Sequence, residues 1–371
     1  MAEAKSIFTG LLAHAGVAVD GPHPWDIHVH DERLYPSVLA RKNLGLGEAY
    51  TAGWWDCERI DEFFNRILRS GAAERVKGSM LLVCSLFPAY VLNLQSPSRA
   101  LAVARRHYDL GNDLFSAFLD PYLQYSCAYF KDTADLAEAQ KRKLRLICEK
   151  LCLREGERLL DIGCGWGGLA RFAAEEYGCQ VVGVSISREQ IAAGQELCAG
   201  LPVEFRCCDY RTLDEPFDKI VSVGMFEHVG CRNYGQFMRT VARCLRPGGL
   251  FLLHTIGANV SAHACDPWIN KYIFPNGTLP SIAQIALAAE GQLVMEDWHN
   301  LGPHYDPTLM SWLCNFRSAW PSLKPRYGEA FGRMWEYYLQ SCAGAFRARD
   351  IQLWQIVFST PGATQPGCRL T

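Results

Sequence analysis

The sequence predicts an α/β protein, a Rossmann-like parallel sheet with helices on both faces, carried behind a smaller, mostly helical N-terminal domain. Three observations predict it. From about residue 135 short apolar runs alternate with helical periods, the pattern of a parallel sheet. A glycine-rich turn joins the first of these runs to a helix at Asp161–Gly168. The first ~100 residues lack that alternation and read as helical.

The elements follow in order. Ile60, Phe63, Phe64, Ile67 and Leu68 fall at i, i+3, i+4, i+7 and i+8, a broad apolar helix face, with Asp56 and Asp61 near its start where carboxylates suit the helix dipole. Gln95–Ser98 reads as a loop, which places the domains at 1–98 and 99–371. Leu144, Ile147 and Leu151 continue a helix. Strands are expected at Arg158–Ile162, Gln180–Val184, Val203–Cys207, Ile220–Val223 and Leu250–Thr255, with helices at Gly168–Tyr177 and from Arg188. Pro247–Gly249 reads as the turn before the last of those strands, and later strands are expected at Leu293–Asp297 and Trp354–Phe358. Between these, about 266–340, lies a stretch rich in aromatics and prolines that reads as a substrate-covering insertion.

Composition narrows the function. With 371 residues, 49% hydrophobic and 20% charged, the chain can bury a substantial core. A net charge of -2 gives no global case for nucleic acid. The basic run Lys141–Arg145 and the pair Arg105–Arg106 compete between solvated helix faces and a binding face. The 16 cysteines lack paired C-x-x-C spacing, so no metal site or disulfide framework is expected, and their number suits a reducing cytosol. The N-terminus does not read as a signal peptide, and no apolar run approaches the ~20 residues that span a bilayer.

Asp161-Ile-Gly163-Cys164-Gly165-Trp-Gly-Gly168 follows a strand and opens a helix. Glycines admit close backbone approach, and a helix N-terminus offers free N–H groups to an anion. Gly163, Gly165 and Gly168 also fit the dinucleotide spacing, so the loop alone is ambiguous. Asp161 tips the reading toward S-adenosylmethionine, as in methyltransferases that this chain resembles, where the acid helps hold the methionine end. Asp209 and Tyr210 fit an adenine partner. Where such folds carry an acid for the ribose, this chain reads Gly183-Val-Ser185-Ile186-Ser187, with Gln190 beyond.

Eight segments resemble the cyclopropane-fatty-acyl-phospholipid synthases, in that family's order: GWWD (Gly53–Asp56), HYDLGNDLF (His107–Phe115), QYSCAYF (Gln124–Phe130), DIGCGWGG, MFEHVG (Met225–Gly230), HTIG (His254–Gly257), YIFPNG (Tyr272–Gly277) and YDPTLM (Tyr305–Met310). The resemblance implies an S-adenosylmethionine-dependent methyltransferase fold and a lipid-facing N-terminal domain. It implies transfer of a methyl group onto the cis double bond of an unsaturated phospholipid acyl chain, then deprotonation and ring closure. It implies a bicarbonate base held by Cys127, Glu227, His254, the backbone N–H of Ile256, and Tyr305, with Tyr108, Tyr125 and Ser126 bordering the cofactor. A cytoplasmic protein, peripheral membrane contact and a homodimer are expected with it.

The residue types suit such chemistry. Holding an alkene and a methyl donor in attack geometry can contribute about 7–11 kcal/mol, and aromatic faces stabilise a carbocation. A His–Glu–Tyr cluster suits either holding a small anion or acting as the base itself, and both readings stay open. Plainer readings compete: a helix-capping Glu227, a core histidine at His254, an inert thiol at Cys127, and Trp54–Trp55 as core. The runner-up function is amine N-methylation of a small molecule on the same scaffold; methyl branching and a non-catalytic lipid-binding module are further readings.

Overall fold

The computed structural model describes residues 2–71 and 111–369. The expected boundary near residue 98, the pair Arg105–Arg106 and Tyr108 lie outside the described residues. The rest divides into two units, one of residues 2–71, 264–275 and 305–351, the other of residues 111–263, 276–304 and 352–369.

The first unit is helical. Its N-terminal piece contributes helices Ala2–His14, Leu34–Thr51 and Ile60–Arg69, and a short antiparallel pairing of His28–Val29 with Trp55–Asp56. Long helices Tyr305–Tyr327 and Glu329–Arg347 complete it. The apolar face around Ile60 does form a helix, with Ile60 and Phe63 fully buried. Asp61 does more there than meet a dipole: it is fully buried between Arg59 and Arg347, each at 2.7 Å. Burial raises its pKa, but the two guanidiniums outweigh that and hold it below the usual carboxylate range. Trp55 is a core residue. Its indole N–H donates to the Leu46 carbonyl at 3.0 Å, and Tyr50, Phe63 and Tyr337 surround its ring. Trp54 instead lies under the Arg33 guanidinium, 4.5 Å from the ring centre. The aromatic stretch after residue 266 is shared between the units: 266–275 and 305–340 belong to the helical unit, 276–304 to the other.

The second unit is built on a seven-stranded sheet. Its strands are β1 (Arg158–Ile162), β2 (Gln180–Ser185), β3 (Val203–Cys207), β4 (Phe217–Val223), β5 (Leu245–Ala258), β6 (Val294–Asn300) and β7 (Ile351–Ser359), in the order β3-β2-β1-β4-β5-β7-β6. The first five pair in parallel; β6 and β7 pair antiparallel, so the sheet is mixed. Helices α1 (Asn112–Phe118), α2 (Leu136–Lys150), α3 (Gly168–Tyr177), α4 (Arg188–Leu197), α5 (Tyr234–Cys244) and α6 (Ile282–Ala289) flank it. The two-residue period of the strands divides the core in two. Leu160, Val182, Phe251 and Ile356 pack with α5 and α6 on one face. Leu159, Val181, Leu252 and Val357 pack with α2 and α3 on the other.

One expected turn is absorbed into a strand. Pro247–Gly249 lies inside β5 as a bulge: Phe217 pairs with Leu245, and Lys219 already pairs with Leu250. Gly248, at φ +78°, accommodates the extra residues.

Candidate active site

The carboxyl ends of the parallel strands carry most of the expected site residues, where open α/β sheets bind ligands. At the end of β1, Gly163, Gly165 and Gly167 adopt φ of +87°, +54° and +85°. The N–H groups of Gly163 and Cys164 donate to the Val184 carbonyl at 2.9 and 3.1 Å, pinning the turn to β2. Gly168 opens α3 against the Tyr122 carbonyl, which leaves no room for a side chain there.

Asp161 is buried on the sheet face covered by α2. Burial pushes its pKa up to about 7, and the nearby Lys143 ammonium pulls the other way. Lys143 is itself fully buried. It donates to Gln124 Oε1 at 2.5 Å and to Ser126 Oγ at 2.9 Å, and desolvation brings its pKa down to about 8. Gln140, one helical turn earlier on α2, donates to the Ser126 carbonyl at 2.9 Å. Two α2 side chains therefore fasten the segment that carries Tyr125, Ser126 and Cys127. Tyr125 packs edge-on against Phe115 and Phe118. Cys127 is fully buried, its thiol donating to the Ala128 carbonyl at 3.2 Å.

Where an acidic ribose partner is common, β2 ends in a polar pair instead. Ser185 Oγ donates to Gln190 Oε1 at 3.0 Å, and Ser187 caps α4. Ile186 between them is half-buried. After β3, Asp209 is held by Arg211, whose Nε donates to it at 2.8 Å. Tyr210 is largely a core residue, its ring against Phe237.

Glu227 lies on a short 3-10 turn after β4 and is buried. Its Oε1 accepts the Ile256 N–H at 2.7 Å, while Oε2 has no hydrogen-bond partner among the described residues. Burial pushes this carboxyl up to about 7. His254 lies two residues before Ile256 on β5, buried, with Nδ1 facing the Gln355 amide at 3.3 Å and Nε2 without a partner among the described residues. Burial, and then the charges of Lys143 and Lys150, hold His254 well below its ordinary pKa, so it is neutral near pH 7. Tyr305 belongs to the helical unit, where it starts a long helix and packs on Phe346.

Sequence reasoning missed Lys143, Gln140 and Gln355. The signal for the first two was present: Leu136, Gln140, Lys143 and Ile147 follow the i, i+4, i+7, i+11 period of one helix face. The surrounding basic run hid it.

Comparison with known proteins decides the family. Residues 95–356 match the model of the mycolic acid cyclopropane synthetases. The chain belongs to this family. It is 55% identical, over 94% of its length and 91% of the relative's, to the cyclopropane-fatty-acyl-phospholipid synthase of Escherichia coli. It is 33% identical, over 88% of its length and 82% of the relative's, to the tuberculostearic acid methyltransferase of Mycobacterium tuberculosis. A mycolic acid cyclopropane synthase solved with S-adenosylhomocysteine superimposes with a TM-score of 0.65 at 35% identity, covering 70% of this chain and 97% of that one. A coclaurine N-methyltransferase reaches a TM-score of 0.69 over 85% of this chain and 99% of that one, but at 23% identity, which speaks for the fold alone. The expected Rossmann-like fold and class of enzyme are thus borne out: the chain is an S-adenosylmethionine-dependent methyltransferase of the cyclopropane-synthase kind.

Proposed function

We propose that the enzyme converts cis double bonds in the acyl chains of membrane phospholipids into cyclopropane rings. The observation that carries this is that Glu227, after β4, and His254, on β5, are both buried, with no hydrogen-bond partner among the described residues for Oε2 of the first or Nε2 of the second. Buried polar atoms are seldom left unpaired, so the pair fits a small polar guest such as bicarbonate. Bound there, bicarbonate would supply a base. Glu227 and His254 would hold it, with Cys127, Ile256 and Tyr305 as the further expected ligands. The alkene carbon attacks the sulfonium methyl, S-adenosylhomocysteine departs, and the carbocation loses a methyl proton as the ring closes. Asp161, the glycine turn, Ser185, Ile186, Gln190, Asp209, Tyr210, Tyr108, Tyr125 and Ser126 are the proposed cofactor contacts.

The same reading includes peripheral contact with the inner face of the membrane, a cytoplasmic location and a homodimer. Among the described residues no helix is long and apolar enough to cross a membrane. Exposed Ile282, Leu287, Val294 and Met295 offer apolar contact surface on the sheet unit.

The test incubates purified protein with unsaturated phosphatidylethanolamine vesicles and S-adenosylmethionine, then weighs the lipids. A gain of one CH₂ with loss of the ozone-cleavable double bond is expected. Two further hydrogens would mean methyl branching. An unchanged lipid mass with cofactor binding intact would overturn the lipid reading in favour of amine methylation.

A further inference from the structure

Strand β7 is buried along nearly its whole length, in a run of apolar side chains. Gln355 interrupts that run and is fully buried. Its neighbour Gln352 shares its side-chain oxygen with Asn300 and its amide with Asn259. The Gln355 side chain has no such polar company: among the described residues its one hydrogen-bond contact is His254 Nδ1, and its Oε1 has none. A buried amide that gains so little from its surroundings costs stability unless it serves the group it touches.

The direction of that bond follows from counting donors. With Nε2 of Gln355 toward the ring, the buried carbonyl oxygen and one of the two N–H donors go without a partner among the described residues. With the amide turned over, two N–H donors would go without, and orphaned donors are the rarer and costlier case. The amide therefore donates, Nδ1 accepts, and the single proton of the neutral imidazole resides on Nε2. That is the nitrogen without a partner among the described residues, on the ring whose strand neighbour Ile256 binds Glu227. We propose that Gln355 is a positioning residue that locks His254 in the Nε2–H tautomer, so that His254 presents a hydrogen-bond donor to an anion beside Glu227.

This rests on the anion-site reading above, and deepens it. A donor histidine cannot take the proton released on ring closure, since its only lone pair is engaged by Gln355. His254 is therefore a holder of the base and not the base.

The test uses the full chain labelled with ¹⁵N-histidine, its His254 signals assigned by their loss in His254→Asn. Wild type is expected to show one Nε2–H tautomer, unchanged between pH 6 and 9, with Nδ1 at the value of a hydrogen-bonded lone pair. In Gln355→Met, of similar volume, Nδ1 moves to the value of a free lone pair. In Gln355→Glu, the carboxyl either donates in the amide's place or, once ionised, draws the ring proton to Nδ1. An Nδ1–H tautomer in wild type, or Nδ1 signals that ignore both substitutions in folded protein, would overturn the proposal. Bicarbonate titration of activity separates it from the reading beneath it. Gln355→Met is expected to raise the half-saturating bicarbonate concentration about tenfold, the weight of one hydrogen bond to a charged group, with the KM for S-adenosylmethionine unchanged. A tautomer that responds to Gln355 while bicarbonate dependence stays flat would keep the positioning role and remove bicarbonate from the site.

Discussion

Lys143 and Lys150 lie two turns apart on α2, and both are fully buried. Their surroundings differ in one respect. Lys150 has a carboxylate: Asp297 on β6 is 3.0 Å away, with His299 Nδ1 at 3.2 Å. Among the described residues Lys143 has only neutral oxygens within hydrogen-bond reach, those of Gln124 and Ser126. A buried cation needs compensation. Lys150 finds it inside the fold, as an ion pair tying the helix to the sheet edge. Lys143 has it at longer range, from Asp120 and from Asp161 at the glycine turn. The first arrangement is closed and structural; the second keeps positive charge beside the segment that borders the cofactor.

The largest effect that separates them is on stability. Lys150→Met strands Asp297 and is expected to cost about 3–5 kcal/mol, as when one partner of a buried pair is removed. Lys143→Met strands neutral acceptors at hydrogen-bond distance, with Asp120 and Asp161 only at longer range, and is expected to cost about 1–3 kcal/mol. Urea unfolding measures both, and an equal or reversed order would break the comparison.

Cofactor affinity is expected to invert the ranking. Calorimetry with S-adenosylhomocysteine should show about tenfold weaker binding for Lys143→Met, some 1.4 kcal/mol, because Ser126 and Asp161 lose their shared neighbour. Lys150→Met should bind as wild type does.

The third effect is the pH dependence of stability. Burial lifts the Asp161 pKa from 3.8 to about 7. Between those values the folded chain keeps a proton that the unfolded chain has released, so this group's contribution to stability falls as pH rises from about 4 to about 7. Asp161→Asn should flatten that part of the melting-temperature profile. Lys143→Met, which removes the charge favouring ionisation, should extend the fall to higher pH.

The sheet was legible because its signals are local. A five-residue apolar run such as Arg158–Ile162, followed by glycines and then a helix, leaves few alternatives. Pro247–Gly249 misled because a turn and a bulge use the same residues, and only the partner strand distinguishes them. At the candidate site, the glycine turn was readable from spacing, and Asp161, Glu227 and His254 from resemblance. Lys143 and Gln355 were not read. A buried lysine looks like a surface lysine until its helix phase is set against the sheet. A glutamine in a strand declares nothing until the neighbouring strand, about a hundred residues away in the chain, supplies the imidazole.

The helical unit is assembled from three separated pieces of chain, and this has a consequence for how it is made. Glu62 meets Arg347 across 285 residues of sequence, and the same arginine closes on Asp61. During synthesis the N-terminal helices emerge long before their partners, with Trp55 and the Ile60 face lacking the side chains that will cover them. Contacts of such long range form slowly, and apolar surface left open in the meantime is prone to association. The early helices await the later pieces of their unit, and a ribosome stalled before residue 305 holds a protein whose first-made part cannot yet close.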